Sequence, residues 1–227
     1  MLSQKGKGIV AGGLDFIKRQ HHNFKVNMLR VSFQNMFLQM INQFQSIYMA
    51  ALGAAPAQIG MINSIGEISG AAVALPTGWF ADRYGPKKIF VASAIIMALG
   101  SLMFALANSW IVIIPALLLF LFGQRFGGTI CSMICGKYLR SDERTMGVQL
   151  CDTTSALPTL IAPTIGALIV TAFGGTNISG IKPIYYLSFV GYGLISIMLL
   201  KLWDEKSAGV TIKKSRDFTS GYREVFA

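Results

Sequence analysis

The sequence predicts an all-α membrane protein whose six transmembrane helices form a bundle of two similar three-helix units, a 3+3 repeat. Three observations carry this. Hydrophobic residues make up 53% of the chain and charged residues only 13%, where a soluble domain carries about 25% charged residues. The apolar residues gather in six segments, each near the ~20 residues that one membrane crossing needs. The basic residues then fall in alternate connections between those segments.

The segments lie at 31–54, 57–80, 89–107, 110–136, 147–173 and 183–202. Turn-forming residues separate them: Gly53 to Pro56, Gly85-Pro86, Asn108-Ser109, Ser141-Asp142, and Gly174 to Gly180. Residues 1–30 are polar and basic and lack a cleavable leader pattern, because the apolar run starts late and continues as a full span. They are expected to form a cytoplasmic segment, with a short interfacial helix over 9–19. Residues 203–227 are again polar and are expected to open a cytoplasmic loop. With the amino terminus inside, every basic residue except Lys182 and Arg125 falls in a cytoplasmic connection or tail. This is the positive-inside asymmetry, and it places both ends in the cytoplasm of an integral plasma (inner) membrane protein. The net charge of +10 therefore reports orientation, not nucleic-acid binding.

The spans differ in kind. The first carries Asn35, Gln39, Asn42 and Ser46 at i, i+4, i+7 and i+11, one face of a helix. The second carries Gly60, Asn63, Glu67, Ala71, Ala74 and Gly78 as one strip. The third is apolar on nearly all faces. The fourth places Arg125, Thr129, Ser132 and Gly136 on one face, and the fifth places Asp152, Ala156, Thr159, Pro163 and Gly166. The sixth is apolar again. Polar strips facing hydrocarbon are costly, so they are expected to face water or protein. Spans one and four share a character, as do two and five, and three and six; that recurrence is the repeat.

Other chemistry finds no footing. Three cysteines, Cys131, Cys135 and Cys151, make no disulfide framework or C-x-x-C pair. Zinc, P-loop and haem patterns are absent, so no cofactor or metal is expected. A membrane enzyme lacks a nucleophile–base set within the spans.

The connection after the second span reads Gly78-Trp79-Phe80-Ala81-Asp82-Arg83-Tyr84-Gly85-Pro86-Lys87-Lys88. It resembles the cytoplasmic signature of the major facilitator superfamily, G-x-x-x-D-R-x-G-R-K-K, at the expected place and side. Gly78, Asp82, Arg83, Gly85, Lys87 and Lys88 match, while Pro86 replaces a basic residue. The loop Ser141-Asp142-Glu143-Arg144 is similar to the family's acidic-Arg loop, and Arg125 with Gly128 to its R-x-x-G region. On the fifth span, Pro163 and Gly166 match two positions of the G-P-x-x-G-G element of proton antiporters. The resemblance implies the amino-terminal half of a twelve-span fold: spans one and four line the cavity, two and five face a second six-helix bundle, and three and six are peripheral. It also implies that Asp82 contacts the eleventh span and latches the cytoplasmic side closed; Asp82 can also pair with Arg83 or Arg144, and the alternative is an ordinary charged loop that enforces orientation.

Arg125 is the most informative residue. A cation near mid-bilayer costs about 2.5–3.5 kcal/mol, so it is expected to face the cavity, pair with a carboxylate or bind substrate; the alternative is a structural role at a Gly127-Gly128 break. Thr129, Ser132, Asn35, Gln39 and Asn42 are the accompanying cavity candidates. Glu67 is expected to face the second bundle and to carry a proton or make a polar contact. Asp152 is expected to join the Asp82 network or couple protons, and Gly66 and Gly70 to serve close packing. The expected function is alternating-access secondary transport, with proton-coupled export of a small molecule ahead of nutrient symport. The rival is a non-transporting or regulatory half-bundle that pairs with another subunit. The expected partners are the lipid bilayer, a small-molecule substrate and a second bundle.

Overall fold

The computed structural model describes residues 17–139 and 143–203, and within them the side chains of all but 74–76, 78, 81–82 and 129–138. Among the described residues there are six long helices and no strand: α1 (His22–Ala51), α2 (Pro56–Tyr84), α3 (Pro86–Leu106), α4 (Trp110–Tyr138), α5 (Arg144–Ala172) and α6 (Ile178–Leu202). Four of them are long and apolar enough to cross a membrane: α3, α4 over Trp110–Gly128, α5 and α6. α1 and α2 have 30 and 29 residues, about 45 Å of helix each, but carry more polar side chains.

Local chemistry sets the boundaries. Gly85 holds φ +81, a left-handed value that glycine adopts without strain, and Pro86 then opens α3 with its ring pre-set for a first helical turn. Gly174 and Gly175 both take positive φ after α5, and the Gly175 amide returns to the Val170 carbonyl at 2.8 Å, closing the helix end. α1 begins at His22, earlier than the expected start at 31. The His21 ring accepts a hydrogen bond from the Asn23 amide at 3.2 Å, satisfying one of the first-turn donors. Most of the expected 9–19 helix, the 140–142 loop and the tail beyond 203 lie outside the described residues.

α3 packs most extensively on α4 and α6; the next pairs are α1–α5, α2–α4 and α1–α6. Glycines let α3 and α4 meet backbone to backbone. A Cβ at Gly123 would lie 2.9 Å from the Ser93 carbonyl oxygen, and one at Gly100 would lie 3.0 Å from the Phe120 amide nitrogen. Small residues at such contacts are the usual device for close helix approach in lipid.

The core lies where α1, α3, α4 and α6 meet. Tyr48, Tyr185, Phe104, Phe120, Tyr192 and Phe37 form a continuous run of ring contacts with centroids 5.0–6.3 Å apart. The Tyr48 hydroxyl reaches the Phe104 and Ala107 carbonyls at 2.9 and 3.2 Å, pinning the far ends of α1 and α3 together. α2 and α5 flank this core and leave broad faces exposed, with Ile68 at 70% and Leu160 at 74%.

Prolines shape α5. Pro158 has no N–H, so the Thr154 carbonyl loses its helical partner. The Ser32 hydroxyl of α1 shares its one proton between that oxygen, at 3.3 Å, and the Met28 carbonyl of its own helix, at 3.0 Å. Farther along, a Cβ at Gly166 would sit 3.1 Å from the Phe44 ring of α1. α1 therefore grips α5 at two points along its length.

Candidate functional site

Arg125 of α4 forms an ion pair with Glu67 of α2, the two side chains 41% and 62% exposed. One turn before Glu67 on α2, Asn63 accepts a hydrogen bond from Gln45 of α1 at 3.3 Å. These side chains place polar groups from three helices on one open side of an otherwise apolar bundle. The guanidinium keeps its proton throughout the accessible pH range, while a carboxylate can gain one. As a pair they are neutral.

Of the cavity candidates on α1, Asn35 and Gln39 are half-buried and Asn42 is exposed. Thr129 and Ser132 lie on α4 among the residues whose side chains are not described. α1 and α4 adjoin over only a short stretch. Asp152 is exposed on α5; Pro163 is half-buried and Gly166 buried. α4 runs unbroken through Gly127 and Gly128, so no helix break exists there for a structural arginine to mend.

At the α2–α3 turn, Arg83 is exposed and lies over two rings, 5.1 Å from the centroid of Trp79 and 5.8 Å from that of Tyr84. Lys87 is half-buried; Lys88, and Arg144 at the start of α5, are exposed. The surroundings of Gly78, the side chain of Asp82 and all of Asp142 fall outside the described residues, so the expected latch is represented here by Arg83, Gly85, the two lysines and Arg144.

One group was not expected. Arg30 was assigned to a cytoplasmic segment; because α1 starts at His22, it lies inside the helix and is only 2% exposed. Its guanidinium donates to Asn27 Oδ1 at 3.2 Å and to Gln34, and its Cζ sits 4.0 Å from the centroid of the Phe90 ring. Phe90 in turn meets Trp203 edge-on at 5.6 Å. A Cβ at Gly127 would be 3.5 Å from Arg30 Nη1 and 3.3 Å from Ser93 Oγ, so that glycine makes room for the cluster. The signal was present in the spacing: Asn23, Asn27, Arg30 and Gln34 recur at i, i+4, i+7 and i+11, one helical face. Gln45 was also missed, since it lies beside the expected stripe.

The sequence profile of the Major Facilitator Superfamily matches residues 29–227. The chain is 37% identical over 94 residues to a Na(+), Li(+), K(+)/H(+) antiporter of Planococcus maritimus, covering 41% of this chain and 22% of that protein. It is 27% identical over 135 residues to a multidrug resistance protein B homolog of Mycobacterium tuberculosis, covering 57% and 24%. With a probable sulfoacetate transporter of Cupriavidus necator it shares 25% identity over 174 residues, covering 76% and 39%. The chain thus spans well under half the length of these relatives.

Proposed function

Since the chain belongs to the Major Facilitator Superfamily, we propose that it is the six-span amino-terminal bundle of a secondary transporter, working by alternating access and coupling export of a small molecule to protons. The observation that carries this reading is the Arg125–Glu67 pair on the open side of an apolar bundle. Neither charge is tolerable against lipid, so that side is turned toward an aqueous cavity and a second bundle. The exposed faces of α2 and α5 are the surfaces that bundle covers. The helix neighbours support a 3+3 repeat with six spans: exchanging the first three helices for the last three turns α1–α5 into α2–α4 and α1–α6 into α3–α4, all of them extensive pairs. The basic connections support cytoplasmic ends in the plasma membrane.

Glu67 is the more exposed member of the pair and the group a substrate meets first. Proton and substrate exclude one another there, which couples their opposed movement, and Arg125 holds the carboxylate when neither is bound. The name of the antiporter relative agrees with such opposed movement. In the transport-competent protein, with both bundles in proteoliposomes, a substrate gradient is expected to drive a proton flux. Glu67→Gln abolishes that flux while leaving insertion intact. Arg125→Lys, which loses the planar fork, slows transport, and Arg125→Ala abolishes it. Normal flux per folded molecule in Glu67→Gln overturns the proton-coupled reading, and loss of folded protein without loss of specific activity in Arg125→Ala removes Arg125 from the site. A bundle that assembles with another transporter and carries no flux of its own indicates the regulatory alternative.

A further inference from the structure

We propose that Gly70 is a positioning residue for the Arg125–Glu67 pair: its missing side chain is the track along which the arginine stem reaches the carboxylate. The inference rests on the reading of that pair as the coupling site. Gly66 and Gly70 lie one turn apart on the buried side of α2, facing α4. The two glycines do different work. A Cβ at Gly66 would strike Leu121 Cδ1 at 2.6 Å, a clash the free end of that leucine can relieve by turning away, and would approach Leu117 at 3.4 Å, so this glycine faces apolar side chains. The three atoms nearest a Cβ at Gly70 would all belong to Arg125: Nε at 3.1 Å, Cγ at 3.3 Å and Cδ at 3.7 Å. The arginine stem therefore crosses the α2 backbone at Gly70 and turns its head to Glu67, three residues earlier and on the same face.

The stem is held from below by backbone rather than by a flexible neighbour. Both atoms nearest the added methyl belong to Arg125 itself, so the strain of any side chain at 70 falls on the stem. It must rise by a few tenths of an ångström, which withdraws the fork from the carboxylate. From α1, the contact beside Glu67 on α2 is the uncharged Gln45–Asn63 bond. α3 brings charge only at its first turn, Lys87 and Lys88, and α4 brings Arg125 and, far along the helix, Lys137. The guanidinium over Gly70 is thus the cation that meets Glu67, and the glycine sets how closely.

The test is an infrared measurement on the chain itself in lipid nanodiscs, with isotope-labelled arginine. Paired guanidinium and carboxylate bands are assigned as those lost in both Glu67→Gln and Arg125→Gln. Gly70→Ala is expected to lose most of the paired signal, and Gly66→Ala to keep it at the wild-type level. In the transport-competent protein Gly70→Ala is expected to lower proton-driven transport about tenfold, less than the ~100-fold cost of a 1 Å misplacement because the stem moves only a fraction of that. A wild-type paired signal in Gly70→Ala overturns the proposal. If Gly70→Ala does not fold, the double variant Gly70→Ala with Arg125→Gln decides. Recovery of folded chain shows that the glycine exists for the arginine, and continued failure shows that it serves helix packing alone and overturns the proposal. Because the bands report the pair without any transport, absence of proton flux in the wild type would defeat the proton-coupled reading and leave the role of Gly70 standing or falling on its own result.

Discussion

Replacing Arg30 should expose how much the bundle depends on a charge it has fully enclosed. Arg30→Ala removes three things at once. The guanidinium over Phe90 at 4.0 Å is a desolvated cation–π contact worth ~2 kcal/mol. The Asn27 and Gln34 acceptors lose their donor, at about 1–3 kcal/mol for a buried group left unsatisfied. The space beside Gly127 and Ser93 is left partly empty. Together the expected loss is about 3–5 kcal/mol. At ~2–4 °C per kcal/mol for a chain of this size, the midpoint of thermal unfolding in detergent falls by roughly 10 °C. Arg30→Met keeps an unbranched stem on the Phe90 ring and brings no charge to desolvate, so its midpoint stays within about 3 °C of wild type. A cycle with Phe90→Leu isolates the ring contact, with an expected coupling of ~1–2 kcal/mol. An Arg30→Ala midpoint unchanged from wild type, or a cycle showing no coupling, refutes the reasoning.

Ser32→Ala leaves the Thr154 carbonyl without the donor that Pro158 denies it, lowering the unfolding midpoint by a few degrees at ~1–3 kcal/mol. Adding Pro158→Ala returns an N–H to the helix and is expected to recover most of the loss, as the same melting measurement shows. Tyr48→Phe deletes the hydroxyl that ties α1 to the end of α3 and is expected to cost ~1 kcal/mol, seen as a midpoint drop near 3 °C. Asp82→Asn, which keeps shape and removes the anion of the signature, is expected to slow transport and shift the balance of access states while insertion remains normal. An unchanged rate would make it a plain loop charge.

The turns were legible because they follow from backbone chemistry. Gly85 with Pro86, and Gly174 with Gly175, stop and start helices wherever they occur. The polar strips were legible because helical period fixes which residues share a face, and the need of Arg125 for a counterpart followed from the cost of a cation in an apolar span. That the counterpart is Glu67 was not legible. The two lie 58 residues apart, and which faces of α2 and α4 meet depends on packing at Gly66 and Gly70, where a glycine reads the same whether it admits a leucine or an arginine. Arg30 was misplaced for a different reason. Averaged over a window, Asn23, Asn27, Arg30 and Gln34 look like a solvated segment, yet their common face lets Arg30 bind Asn27 and Gln34 inside the bundle. Hydropathy counts polar groups and cannot see that they are paired.

The central claim is that the polar open side of this bundle lines a cavity reached alternately from the two sides of the membrane. The most direct measurement places a single cysteine there, Asn42→Cys, in the transport-competent protein with Cys131, Cys135 and Cys151 replaced. A membrane-impermeant maleimide is then applied from each side in turn. The account predicts labelling from both sides, in proportions that shift when the pH gradient is reversed. Labelling from one side only, unmoved by the gradient, would contradict it.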